Sequence, residues 1–138
     1  MIFTCNFANW KKIPVPVVPI AVCRYLPKGL DIASYPPLFP PEDLLKVYKN
    51  GQVNDGFFKE AYTKQVLNKL DVSKVVMDLY NVYSGLGSVV LLCYESSDKF
   101  CHRHLIRDWL ISHGMTSQEF AVKRALKNPL GLLRKYHD

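Results

Sequence analysis

The sequence predicts an α/β domain: a small, mostly parallel sheet of about four strands flanked by helices. A long helical excursion separates the second strand from the third. Three observations carry this. Apolar runs of strand length recur at Ile2-Phe3-Thr4-Cys5, Ile20-Ala21-Val22-Cys23 and Val89 to Tyr94. Between and after them, apolar residues return at the three-and-four spacing of helices with one buried face. The Val89–Tyr94 run has no polar residue to mark a solvent side, as a parallel strand covered on both faces requires. With 138 residues, 49% of them hydrophobic and 22% charged, the chain has the length and composition of one ordinary folded domain.

The elements follow in order. Ile2–Cys5 reads as a short buried strand at the start. Lys12 to Pro19 carries Pro14, Pro16 and Pro19, too many for a central strand, and reads as an extended connector. The second strand, Ile20–Cys23, ends at Arg24-Tyr25, and Lys28-Gly29 marks a turn. The stretch Ser34 to Pro41 has four prolines and is expected to be irregular until a helix begins at Pro41, whose fixed φ suits a first helical turn. Glu42 and Asp43 complement that helix's dipole, Leu44, Leu45 and Tyr48 form its apolar side, and Gly51 ends it. Asn54 is a suitable N-cap for a second helix with Phe57, Phe58, Ala61, Tyr62, Val66 and Leu70 inward. Asp71 caps a third, with Val75, Val76 and Leu79 inward. After the Val89–Tyr94 strand, a helix is expected over Cys101–His113, with Leu105, Ile106, Trp109 and Leu110 buried and Gly114 at its end. Glu119–Val122 is the last candidate strand. Residues 1–122 are thus read as the domain and 123–138 as a basic tail.

A formal charge of +6 favours an anionic partner, a nucleotide or a nucleic acid. The excess concentrates in Lys123, Arg124, Lys127, Arg134 and Lys135, a surface suited to sequence-independent contact with a phosphate backbone. No helix-turn-helix, zinc-finger or RNA-recognition signature accompanies it. No segment approaches the ~20 apolar residues that span a bilayer, and the start lacks the pattern of a secretory signal. A cytoplasmic protein with no membrane partner is expected. Cys5, Cys23, Cys93 and Cys101 do not form a dense disulfide framework, so reduced thiols are expected.

The junction of greatest chemical interest runs from Leu91-Leu92-Cys93-Tyr94-Glu95 to Cys101-His102-Arg103-His104. It delivers a thiol, imidazoles and a guanidinium to a helix start beyond the carboxyl end of a strand, where α/β proteins hold ligands. A helix N-terminus with cationic neighbours lowers a thiol pKa, which makes Cys101 a candidate nucleophile. Arg103 is unfavourably placed in a first helical turn unless an anion offsets it, and Glu95 is the expected carboxylate. If the two flank a pocket, Glu95 serves as general base with His102 as the other proton carrier. Arg103 and Arg24 then clamp an anion. The alternative is a structural Glu95–Arg103 pair in a non-catalytic binding module. A phosphatase or sulfurtransferase loop would carry an Arg where Lys99 stands, which disfavours that chemistry. Zinc would use Cys93, Cys101, His102 and perhaps His104, with Cys5 and Cys23 nearby if all end neighbouring strands. Adjacent Cys101-His102 is not a usual chelating pair and no second Cys-x-x-Cys appears, so no metal or cofactor is expected.

Ile2-Phe3-Thr4 with Phe7-Ala8-Asn9, Val18-Pro19-Ile20-Ala21-Val22 running into Arg24, Leu38-Phe39-Pro40, Leu91-Leu92-Cys93-Tyr94-Glu95 and Phe100-Cys101-His102-Arg103 with Trp109-Leu110 fall in the order of one family. Over residues 1 to about 122 the chain resembles the domain of unknown function 488 family of small bacterial and phage proteins. The most specific likeness is Leu-Leu-Cys-Tyr-Glu followed shortly by Cys-His-Arg. Arg24-Tyr25-Leu26-Pro27-Lys28-Gly29-Leu30 is similar to a loop of one branch, with Tyr25-Leu26 replacing a Leu-Trp pair and Lys28 replacing an arginine. The resemblance implies the α/β fold and no particular reaction.

Overall fold

The computed structural model describes residues 1–84 and 87–122, together with two short strands in the tail; of residues 82–84 and of those two strands only the backbone is described. Five strands form one sheet: β1 (Ile2–Asn6), β2 (Val17–Ala21), β3 (Ala33–Ser34), β4 (Ser88–Cys93) and β5 (Ser117–Glu119). Their order across the sheet is β3-β2-β4-β1-β5, and every pairing in it is parallel. The helices are α1 (Glu42–Lys49), α2 (Asp55–Gln65), α3 (Val72–Met77) and α4 (His102–Ser112). In the tail, β6 (Ala125–Lys127) pairs antiparallel with β7 (Leu133–Lys135). The α/β class stands, with three helices between β2 and β4.

β4 lies at the centre because its sequence tolerates burial on both faces: Val89 to Leu92 are all fully buried. Side chains alternate along a strand, so the two faces separate cleanly. Val89 and Leu91 join Ile2 and Ile20 under residues from all four helices, among them Leu44, Phe58, Tyr62, Val75, Ile106 and Leu110. Val90 and Leu92 join Cys5 on the opposite face, covered by Trp10 and Ile13 from the β1–β2 connection and by Phe120.

Two strand boundaries, one additional strand and the burial of one aromatic residue differ from expectation. The second strand is Val17–Ala21 instead of Ile20–Cys23, and it admits Pro19. The Ala21 carbonyl accepts from the Tyr35 amide on the β3 side, so by alternation the nitrogen of Pro19 faces that side too. β3 pairs only with Ile20 and Ala21, so no ladder bond is demanded of Pro19. β3 itself, two residues long, leaves no periodic trace in the sequence. The last strand of the sheet sits at Ser117–Glu119 instead of Glu119–Val122, in register with Ile2 to Thr4. Phe57, read as inward, is 54% exposed in the first turn of α2; Phe58 takes the core position.

Local signals hold elsewhere. The Asn54 side chain accepts from the Phe57 amide at 2.8 Å, and Asp71 accepts from the Ser73 amide at 3.0 Å. Pro41 is the N-cap of α1 and not part of its first turn. Gly114 ends α4 at φ 84°, a conformation that favours glycine over any residue with a Cβ. No helix among the described residues is long and apolar enough to cross a membrane.

Candidate functional site at the carboxyl edge of the sheet

Because β2 and β4 are parallel neighbours, their carboxyl ends release Cys23-Arg24 and Cys93-Tyr94-Glu95 side by side. A cavity of about 680 Å³ opens there. Its floor is Cys23, Cys93, Cys101 and His102; Arg24, Glu95 and Lys99 stand on the loops around it. The helical excursion supplies the far wall through Leu45, Tyr48 and Lys49 of α1 and Asp55 and Phe58 of α2. The Tyr48 hydroxyl donates to Asp55, tying the two helices together at the rim. The Arg24 guanidinium lies 5.8 Å from the centre of the Phe39 ring, and its Nε donates to the Pro40 carbonyl at 3.2 Å.

Cys101 is the N-cap of α4 and has extended backbone, φ −153° and ψ 146°. Successive residues within a helix point apart, but a residue in extended geometry just outside one is free of that constraint. Cys101 and His102 therefore converge: Nδ1 of His102 lies 3.8 Å from the Cys101 sulfur and 3.8 Å from the Cys93 sulfur. The other ring nitrogen, Nε2, donates to the Val22 carbonyl at 2.7 Å, so that in a neutral ring Nδ1 presents its lone pair to the thiols. The ligand atoms of Cys93, Cys101 and His102 all lie within 4.8 Å of one another, a set able to hold a metal ion.

These thiols are not activated by the helix start. A hydrogen bond with Cys93, followed by burial, pushes the Cys101 thiol up to about 12, against the pull of His102. For Cys93 the Cys101 hydrogen bond lowers the pKa, but the Cys23 hydrogen bond and burial carry it to about 12. The Cys23 thiol shifts downward, mainly through its hydrogen bond with Cys93. The expected lowering at Cys101 is reversed because the residue is only 5% exposed and its thiol is hydrogen-bonded to another sulfur, that of Cys93.

Arg103 points elsewhere. It is fully buried and grips Glu119 of β5 with both arms of its fork, Nε to Oε1 at 3.1 Å and Nη2 to Oε2 at 3.0 Å. Thr4 of β1, which is paired with Glu119 in register, donates to Oε1 at 2.6 Å. His104 Nδ1 stands 3.7 Å from the same oxygen. Burial holds the His104 pKa below its usual value, so it is neutral near pH 7. The Arg103 Nη1 is buried without a hydrogen-bond partner among the described residues.

The family model described as the active DUF488-N3 subclade matches residues 2–114. The chain belongs to this family. No curated protein and no solved structure matched it. The match to the DUF488-N3 model covers β1 to β4, α4 and every residue of the cavity named above, and stops before Glu119.

In this DUF488 domain the structure brings Arg24, Glu95, Cys101 and His102 to one cavity and leaves Arg103 outside its wall. The expected Glu95–Arg103 pair is replaced by Arg103–Glu119. Sequence reasoning missed Glu119 and Thr4 because their partnership depends on the β1–β5 register. It also missed Lys49, Asp55 and Lys99 as lining. Cys23, read as strand core, lies beyond the end of β2 and joins the floor. Cys5 pairs with Leu92 in register and shares its face, opposite Cys93. Lys123 and Arg124 lie outside the described residues, and of Lys127, Arg134 and Lys135 only the backbone is described.

Proposed function

We propose that this DUF488 domain binds a small anionic, nucleotide-like ligand in the cavity at the β2–β4 edge and acts on it there. The observation that carries this reading is the composition of the wall: cationic Arg24, Lys49 and Lys99 line the cavity together with the aromatic rings of Tyr48 and Phe58. The volume, about 680 Å³, suits a ligand of that size. Cations meet the anionic part, with the Arg24 fork suited to phosphate or carboxylate, and the rings accept a flat base. Glu95 is the group placed to move a proton, since it is exposed on the cavity loop while Nε2 of His102 is engaged with Val22. Cys101 and His102 supply the polar floor. The word active in the description of the subclade agrees with a chemical role.

A second reading, a non-catalytic binding module, draws support from one observation. Arg103 and His102 both spend their hydrogen bonds on the protein itself. Calorimetric titration with nucleoside mono- and diphosphates, in wild type and Arg24→Ala, tests the first reading. Binding should weaken by tenfold or more in the variant, a loss of about 1.4 kcal/mol, with the melting temperature little changed. Absence of binding at millimolar ligand, or equal affinity in the variant, would overturn it. If binding holds, loss of turnover in Glu95→Gln with affinity retained supports catalysis, and binding without turnover in the wild type favours the module.

A further inference from the structure

We infer that Cys93, Cys101 and His102 form a site for one divalent transition-metal ion of zinc's chemistry, with a fourth coordination position open to the cavity. The inference rests on the three side chains alone and stands whether or not a nucleotide is the ligand above them.

The geometry fits closely. Zinc bonds of about 2.3 Å to sulfur and 2.0–2.1 Å to nitrogen, at a tetrahedral angle, place the two donor atoms about 3.6 Å apart. Both observed Nδ1–sulfur separations are 3.8 Å, so closure onto an ion needs a shift of only a few tenths of an ångström. The second ring nitrogen is already fixed. Nε2 donates to the Val22 carbonyl at 2.7 Å, the arrangement by which a backbone acceptor sets the tautomer of a ligating histidine.

Charge balances as well. Binding a divalent cation releases one proton from each of two thiols to solvent, and the resulting dithiolate site is neutral overall, as burial favours. Cys23 is left out of the coordination sphere. Its thiol donates to the Tyr25 carbonyl at 3.3 Å, and it is not among the residues whose ligand atoms group within 4.8 Å. Two thiolates and one imidazole leave a fourth position, and all three residues line the cavity. Three protein ligands with an open position mark a catalytic zinc site, whereas a structural one is closed by four.

The test uses full-length protein kept reduced, stripped with chelator, and titrated with Co²⁺ and Zn²⁺. One equivalent of Co²⁺ per chain should bind with a near-ultraviolet thiolate-to-metal band and the visible bands of tetrahedral geometry. Either ion, added to the stripped protein, should release two protons on binding, and Zn²⁺ should then displace Co²⁺ with no further release. Cys93→Ser and Cys101→Ser should each remove about half of the thiolate band, and His102→Gln should weaken binding by tenfold or more. Cys23→Ser should leave the band intact; loss of a third would overturn the open position. Wild-type protein with native circular dichroism that takes up neither ion would overturn the site itself, and this outcome needs no variant to fold.

Discussion

Replacing Arg103 with methionine keeps most of the side-chain volume and removes the fork. In the wild type, Glu119 accepts two charge-assisted bonds from Arg103 and one from Thr4, and its side chain is 10% exposed. After the substitution the carboxylate retains the bond from Thr4, while the Nε2–H of His104 is already given to the Lys99 carbonyl. Two such bonds contribute ~1.5–3 kcal/mol each in favourable cases. The unpartnered Nη1 and the cost of burying a guanidinium offset part of that sum. Breaking a buried pair from one side leaves a destabilisation of about 3–5 kcal/mol, most of it from the stranded Glu119. Urea denaturation of Arg103→Met should read that loss, and the melting temperature should fall by roughly 4 °C for each kcal/mol. In a cycle with Glu119→Gln, the double variant should lose less than the sum of the singles by ~1–3 kcal/mol. Ligand affinity of the folded variant should stay unchanged, because Arg103 does not line the cavity. A loss below ~1 kcal/mol, or wild-type stability with ligand binding abolished, would refute the reasoning and return Arg103 to the anion-binding role its sequence position suggests.

Three further outcomes are expected. Asn54→Ala removes the cap bond to the Phe57 amide and should cost ~1 kcal/mol in chemical denaturation, with Asn54→Ser restoring most of it. Tyr62→Phe removes the donor to the Leu38 carbonyl, a buried bond of 2.7 Å, and should cost about 1–2 kcal/mol; an unchanged midpoint would mean water replaces the hydroxyl. Burial, reinforced by Glu119, raises the Cys5 thiol from 9.0 to about 11. A raised thiol pKa gives stability that is complete below the unfolded value and lost as pH climbs through the folded one. Wild type should therefore lose stability relative to Cys5→Val between pH 9 and about 11, and a constant difference across that window would remove the burial argument.

The junction from Leu91 to Arg103 was legible because both of its elements are written in single-residue terms: an unbroken apolar run for β4, and inward residues with a terminal glycine for α4. What sequence could not supply was orientation. Cys101 and His102 looked like a poor chelating pair because neighbouring helical residues diverge, and only the extended N-cap geometry of Cys101 reverses that. Arg103 was expected to meet Glu95, across the loop that leads into its helix, whereas sheet register brings Glu119 to it through Thr4. Pro19 argued against a strand until the shortness of β3 removed the demand on its nitrogen. In each case the missing information was a neighbour supplied by tertiary packing and not a property of the residue itself.

The strand order has a consequence for how the chain is made. β1 and β2 leave the ribosome before β4, yet they are not neighbours; β4 lies between them, pairing residue 2 with residue 89 and residue 17 with residue 88. The centre of the sheet therefore waits until β4 has been synthesised, and topologies with such distant pairings fold slowly. Until β4 inserts, the apolar N-terminal segment has no partner strand and is open to misassociation. The same insertion brings Cys93 and Cys101 to Cys23, so the cavity floor is one of the last parts of the molecule to exist.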